Sequence, residues 1–519
     1  MMNLVEILNK NSRLYPNAIA FVEVKPISKV RKEIRWREFD ERVNKLASSL
    51  IDRKIDKGKK VLLLGRNSIN WLEAYFAIMK TGAWVTPLNY RFTNDDILFC
   101  AKVAEPEAFI FDEELAERIN TIRSELPTVR KYISIGRRDL KGIERLDDLI
   151  GQDASMFLEF RLEGEDECGL YFTSGTTGTP KPILLTHKNL LCSAITEATN
   201  HSWKYSDSLL MMPPLYHLAI GHLLGCYLVG GRTILLTEEI SPKYIFKTIS
   251  EEQISVVFML VPWALDVLEA LDRGDLRRED YNLSAWRLMH MGAQPIPTTL
   301  IERWKKYFPE MQYDTTYGLS EGGGPGIVDL GVENETKIGA IGKPSLMWDA
   351  RVVDDRGEDV RQGQVGELIV KGNGIMKGYY KNPELTAQTI RDRWLYTGDL
   401  AKMDDEGFIY LVDRKKDLVI SGGENIYPVE VEEIIQKHPK VHDVAVIGTP
   451  DKRLGEVVTA VIEPKPGEVL AEGDIASFCE EHLPRYKRPR RIIFAQVPRG
   501  PTGKLEKPKL RERYSQGKG

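Results

Sequence analysis

The stretch "YFTSGTTGTPKPILLTHKN", Tyr171 to Asn189, sets Thr173, Ser174, Thr176 and Thr177 around Gly175 and Gly178, ahead of Lys181. The preceding "CGLYF" reads as a short buried strand, and "HKNLLCSAITEA" (His187 to Ala198) reads as a helix. A glycine-rich turn between a strand and a helix aims backbone N–H groups at a phosphate. Hydroxyls add donors, and a lysine adds a point charge. A Walker A loop needs Gly-Lys followed by Ser or Thr. Here two residues separate Gly178 from Lys181, and Pro182 follows it, so the loop is of another kind. On composition alone it reads equally well as a surface turn of small residues.

Outward from this loop, the chain of 519 residues is too long for one small core and predicts two or three domains. Its 42% apolar and 29% charged content is that of an ordinary globular protein. The net charge of −4 argues against a nucleic-acid binder. Twelve basic and two acidic side chains nevertheless fall between Arg485 and Gly519, either a solvated tail or a surface that meets an anion. The five cysteines form no CxxC pair, which predicts a reducing compartment with neither a disulfide framework nor a cysteine-based zinc site. The N-terminus lacks a signal-peptide pattern, and the longest apolar run, Ile254 to Leu265, is too short to span a bilayer and contains Pro262. The expectation is a cytoplasmic protein.

Strand-like runs "KVLLLG", "AFIFD", "TILLT" and "SVVFML" each lie near a helix-like segment such as "NSINWLEAYFAIMKTG". This alternation predicts an α/β fold with largely parallel sheets. After residue 340 or so the texture changes. "WDARVVDDRGEDVRQGQVGELIVKGNG" alternates with period two between turn signals, which predicts antiparallel strands. "PVEVEEIIQKH" begins with Pro428 and carries its acids early and its bases late, as a helix prefers. The charged run Asp413 to Lys416 predicts a domain boundary there, with a large unit over 1–413 and a small one over 414–519.

The opening stretch resembles the phosphate-binding signature of the adenylate-forming superfamily, which includes acyl- and aryl-CoA synthetases, luciferases and peptide-synthetase adenylation domains. The family pattern is Tyr-Thr-Ser-Gly-Thr-Thr-Gly-x-Pro-Lys-Gly. This chain adds Phe172 and has Pro182 for the last glycine, a change that fixes φ, removes an N–H and would stiffen the loop. Further segments resemble the family in order: "MGAQPI" (Met291 to Ile296), "YDTTYGLSE" (Tyr313 to Glu321), "YTGDL", "DRKKD" with Asp413 for glycine, "SGGENIYPVEVE" and "PRGPTGKLEK". The resemblance covers nearly the whole chain. It implies an α/β N-terminal domain of stacked subdomains with a β-rich subdomain, and a small α+β C-terminal domain.

It also implies roles. ATP would be held by Thr173, Ser174, Gly175, Thr176, Thr177, Gly178 and Lys181, by Gly292, Ala293 and Gln294, and by Asp314, Thr315, Thr316, Tyr317, Gly318 and Ser320. Asp399 and Arg414 would meet the ribose, unless they form only a structural ion pair. Glu321 would bind Mg²⁺, since a hard cation takes carboxylate and phosphate oxygens. Lys504 resembles the lysine that contacts the carboxylate and the α-phosphate, and Lys416 occupies the hinge about which the small domain turns between two half-reactions. CoA would meet Ser421, Gly422, Gly423 and Lys487.

In "PPLYHLAIG" amino-acid-activating members carry an aspartate for the substrate ammonium. This chain has Tyr216 and His217 and no nearby acid, and an unpartnered ammonium is costly to bury. A plain carboxylic acid is therefore expected, and His217 would be a gating or pocket residue, with a core histidine as the alternative. The pocket candidates are His217, Leu218, Gly221, Leu260, Trp263, Gly292, Tyr317, Gly322 and Gly323. Trp263, if it points inward, would shorten the pocket, and the glycines from Gly322 to Gly324 would widen it. The expectation is an acid:CoA ligase for a short- or medium-chain, cyclic or aryl acid. A stand-alone enzyme that loads a carrier protein is the alternative; an acid-binding scaffold without catalysis is opposed by Glu321, Asp399, Arg414 and Lys504. A homodimer is the family-level expectation.

Overall fold

The computed structural model describes residues 3–152, 161–173, 180–294, 296–499 and 505–515. Four sheets organise it. A nine-stranded sheet runs in the order Lys343–Pro344, Gly324–Asp329, Gln312–Leu319, Leu288–Gly292, Val256–Met259, Ser208–Met211, Arg232–Leu236, Ile19–Lys25, Val30–Arg35. The inner six strands are parallel, from Gln312–Leu319 to Ile19–Lys25. An eight-stranded sheet runs in the order Gly378–Tyr379, Lys181–Thr186, Glu167–Thr173, Trp84–Leu88, Lys60–Leu64, Ala108–Asp112, Lys131–Ile135, Glu144–Arg145. Its parallel part begins at Glu167–Thr173. These are the largely parallel sheets that the alternating pattern predicts, closed at their edges by antiparallel strands.

The helix Ile69–Lys80 is enclosed on nearly every side. Every residue of Ile69–Lys80 but Asn70 is buried, and Ser68 caps its start by accepting from Trp71 N. The helix His187–Asn200 begins with a reciprocal cap: Thr186 Oγ1 accepts from Asn189 N, and Asn189 Oδ1 accepts from Thr186 N. Asn189 Nδ2 also donates to the carbonyls of Asn373 and Ile375, tying this helix to a later segment.

The third sheet is antiparallel: Trp348–Val353, Gly366–Gly372, Trp394–Met403 and Ile390–Arg391, with Ile409–Arg414 against Trp394–Met403. Beyond it, Val419–Ser421, Glu424–Ile426, Val441–Asp451, Gly455–Pro464 and Arg491–Phe494 form the last sheet, packed with the helices Pro428–Gln436, Glu472–His482 and Lys507–Ser515. The fold is the mixed α/β arrangement expected, a large N-terminal part and a small C-terminal one. Among the described residues no helix is long and apolar enough to cross a membrane.

Pro182 lies in the strand Lys181–Thr186, opposite Phe172, rather than in the loop it was expected to stiffen. Its carbonyl accepts from Tyr380 N at 2.9 Å. In an antiparallel ladder the N–H and C=O of one residue project to the same side. The missing N–H of Pro182 therefore faces the two-residue edge strand Gly378–Tyr379, where proline is tolerated, and not the Glu167–Thr173 ladder.

Candidate active site

Parallel sheets bind ligands beyond the carboxyl ends of their strands. Here the strand Leu288–Gly292 ends opposite Thr316, and its neighbour Gln312–Leu319 runs on past that point to Leu319. Ala293 follows with φ of 70°, a left-handed conformation that costs an L residue on the order of 1–2 kcal/mol. Gln294 comes next, its Oε1 buried without a hydrogen-bond partner among the described residues.

Tyr317 sits one strand residue beyond Thr316 and donates its hydroxyl to Asp399 Oδ2 at 2.7 Å. Burial, and then the Asp399 carboxylate, hold that phenol well above its ordinary range. Arg414 Nε lies 3.2 Å from Asp399 Oδ1, so the ion pair is formed. The Arg414 side chain remains 42% exposed and open to a further partner. Ser320 and Glu321 stand on the turn Ser320–Gly322, just past Gly318. Glu321 Oε1 accepts from the hydroxyl of Tyr379 at 2.8 Å, and the Lys181 ammonium lies 5.5 Å over the same ring. Sequence reasoning missed Tyr379, which comes from a strand 58 residues further along the chain. Thr173 ends its strand opposite Lys181. Ser174, Gly175, Thr176, Thr177, Gly178 and Lys504 lie outside the described residues.

Three groups of these residues have other partners or roles in the fold. Asp314, expected at the nucleotide, is fully buried: its Oδ1 accepts from the amides of Thr315 and Gly331, and its Oδ2 lies 2.9 Å from His201 Nε2. The glycines from Gly322 to Gly324 do not widen a pocket. A Cβ on Gly322 would meet Ile327 at 2.3 Å, one on Gly323 the Gly374 carbonyl at 2.6 Å, and one on Gly324 Ser193 at 3.0 Å. Gly422 and Gly423, with φ of 61° and 86°, are the two turn residues of a hairpin between Val419–Ser421 and Glu424–Ile426. That turn needs left-handed residues whether or not CoA passes it.

The other residues named for the acid gather near the start of the helix Ile220–Leu228. His217 N donates to the Pro214 carbonyl, and its ring lies 4.3 Å from that of Tyr216. Leu218 and Leu260 are buried, and Trp263 packs between the two large cores. Gly221 is a close approach, where a Cβ would meet Pro325 and Ser193 at 2.6 Å. Phe258 stacks on His222 with ring centres 3.7 Å apart and lies 3.9 Å from where a Gly292 Cβ would stand. Lys487 is ion-paired with Glu430. Lys416 is exposed in the connection after Arg414, yet desolvation brings its amine down to about 8, with Arg414 and Arg511 adding repulsion and Asp417 opposing it.

Residues 8–380 match the model of the AMP-binding enzyme family, and residues 430–504 match that of its C-terminal domain. The chain belongs to the AMP-binding enzyme family. It is an adenylate-forming, AMP-forming acyl-CoA ligase by this membership and by its relatives. It is 31% identical to the long-chain-fatty-acid–CoA ligase FadD13 of Mycobacterium tuberculosis, over 99% of each chain. Among solved structures it resembles the anthranilate CoA ligase AuaEII in complex with anthranoyl-AMP (TM-score 0.89, 26% identity, 99% and 97% of the two chains). It also resembles the O-succinylbenzoate coenzyme A synthetase of Bacillus subtilis in complex with ATP and magnesium ion (TM-score 0.83, 26% identity, 98% and 99%). The cluster at the strand ends thus lies in a family whose members join acids to CoA.

Proposed function

We propose that this AMP-binding enzyme activates a compact carboxylic acid, short- or medium-chain, cyclic or aryl, as its adenylate and passes the acyl group to CoA. The acid carboxylate attacks the α-phosphate of ATP, pyrophosphate leaves, and the CoA thiol then displaces AMP. Asp399 and Arg414 hold the ribose, and Tyr317 presents its ring to the adenine while its hydroxyl fixes Asp399. Ser320 donates to the α-phosphate. Thr173, Lys181 and the hydroxyl loop between them hold the departing pyrophosphate. Lys504 bridges the acid and the α-phosphate in the first step. Such positioned donors act where charge develops.

Glu321 fits a Mg²⁺ ion by its chemistry, a carboxylate with one oxygen fixed by Tyr379 and its backbone carbonyl engaged by Met376 N. When bound there, Mg²⁺ supplies neutralising charge to the phosphates. The large unit over 1–413 and the small one over 414–519 turn about Lys416, which lets Lys504 leave before CoA enters past Ser421.

The observation that supports a compact acid is the stack of Phe258 on His222 next to Gly292. A flat ring closes that side of the strand end, and the helix carrying Gly221 packs too tightly to open another way. Relatives include both fatty-acid and aryl ligases, so the breadth of the family leaves this choice to the pocket. The test is acid-dependent AMP release, with and without CoA, over straight-chain, cyclic and aromatic acids. CoA-dependent turnover with acids of about ten carbons or fewer is expected. Best activity on a long-chain acid overturns the substrate class. Adenylate formation that CoA does not accelerate overturns the acceptor and favours a carrier protein.

A further inference from the structure

Deeper along the sheet face that carries Gly292 and Thr316 lies a group of ionisable side chains that adenylation does not use. His290 and Asp314 are paired neighbours on adjacent strands, each two residues before Gly292 and Thr316. Alternation along a strand puts them on the same face as those residues. Glu197 comes from the helix His187–Asn200, His201 caps its end, and His222 lies in the helix Ile220–Leu228. Glu197, His222 and His290 are 1%, 4% and 2% exposed. Three of the chain's eight histidines are thus brought together from separate elements.

The distances are specific. Glu197 Oε2 is 2.8 Å from His222 Nδ1 and 3.9 Å from His290 Nε2, and the two nitrogens are 3.2 Å apart. Three points so spaced lie on a circle of radius about 2.0 Å, the length of a zinc–nitrogen or zinc–carboxylate bond. One ion at or just off its centre would reach all three. Glu197 Oε1 and His290 Nδ1 are buried with no hydrogen-bond partner among the described residues. Buried polar atoms left so are rare and costly.

We propose that Glu197, His222 and His290 bind one divalent transition-metal ion of the zinc class. Two imidazoles and one carboxylate suit such an ion and not Mg²⁺ or Ca²⁺. His201 holds the carboxylate ligand in place: its Nδ1 lies 3.4 Å from Glu197 Oε2, and its Nε2 lies 2.9 Å from Asp314 Oδ2. Asp314 is fixed in turn by two backbone amides. Such outer partners orient metal ligands. Because the site is closed to solvent, the ion is structural. It pins two helices to the strand that ends at Gly292, and so sets the floor behind the acid pocket.

The test uses the full chain without a polyhistidine tag, expressed in medium supplemented with Zn²⁺ or Co²⁺ and dialysed against a weak chelator. Elemental analysis is expected to give about one equivalent per chain. The Co²⁺ form is expected to show the visible bands of a coordinated ion. His222→Gln and His290→Gln should each lower retention tenfold or more, while the exposed His482→Gln retains it. Wild-type protein free of metal after both expressions overturns the proposal and leaves a hydrogen-bonded ionic cluster. Metal retained undiminished by both variants also overturns it. If the variants fold poorly, the wild-type metal content and Co²⁺ spectrum decide alone.

Discussion

The hydroxyl of Tyr379 donates to Glu321 Oε1 at 2.8 Å, while the Lys181 ammonium rests over the same ring at 5.5 Å. One tyrosine thereby joins the strand that leaves the hydroxyl loop to the turn that carries the proposed metal-binding acid. Burial and the Glu321 carboxylate hold its phenol above its ordinary range, so it is a donor at every working pH.

Tyr379→Phe keeps the ring under Lys181 and removes the donor. A charge-assisted hydrogen bond is worth about 1.5–3 kcal/mol, and water can replace part of it at this half-open turn. We expect kcat/KM for ATP to fall about tenfold and the Mg²⁺ requirement to rise. A merely structural tyrosine would lower the melting temperature and leave the Mg²⁺ dependence unmoved. Titrating Mg²⁺ at fixed ATP separates the two.

Pro182→Gly tests the reading of the edge strand. The carbonyl bond to Tyr380 N survives, and no ladder bond to Glu167–Thr173 depends on the missing N–H. The substitution should cost about 1 kcal/mol through the freer unfolded chain. The Michaelis constant for ATP should change less than about threefold, which is within the reach of such a loss. Acid preference should stay put, and a shifted preference would contradict this placement.

Much of this architecture was legible. The period-two run after Trp348 is an antiparallel sheet, and "CGLYF" and "HKNLLCSAITEA" are a strand and a helix as expected, but the strand Lys181–Thr186 intervenes between the loop and that helix. Local pattern suffices where one element buries its own face. It fails where meaning depends on partners. The glycines after Glu321 read as open space, but Ile327 and the Gly374 backbone fill it. Asp314 stands beside a nucleotide-binding motif, yet its side chain turns to His201. His201, His222 and His290 have no ligand spacing in sequence, and only the sheet register and two helices bring them together.

Asp413, where the family has glycine, accepts from Val429 N at 3.0 Å at the start of the helix Pro428–Gln436. It links the last strand of the third sheet to the small C-terminal unit. Burial raises its carboxyl to about 6 from 3.8, with Lys507 and the two amides opposing the shift. The folded state therefore binds more protons than the unfolded chain between about pH 4 and 6, and this group's contribution to stability falls as pH rises through that window. Asp413→Asn keeps a carbonyl acceptor for Val429 and cannot titrate. The melting temperature of wild type relative to the variant should decline from pH 4 to 6, by the equivalent of about 2–3 kcal/mol. A constant difference across that range would refute the assignment.

In the proposed function Phe258 bounds the acid pocket behind Gly292, and shortening it should open that side. Phe258→Leu keeps an apolar side chain against His222 and avoids the cavity of a change to alanine, which costs about 3–5 kcal/mol in a core. Each methylene accommodated in an apolar pocket is worth about 1–3 kcal/mol in discrimination. The ratio of kcat/KM for an acid one or two carbons longer than the best wild-type substrate, relative to that substrate, should therefore rise about tenfold. ATP affinity should change little, because the substitution leaves Tyr317 and Asp399 untouched. If the ratio stays level while overall activity falls, Phe258 supports the fold without bounding the pocket, and the limit on acid size must come from the side of Trp263 and Leu218.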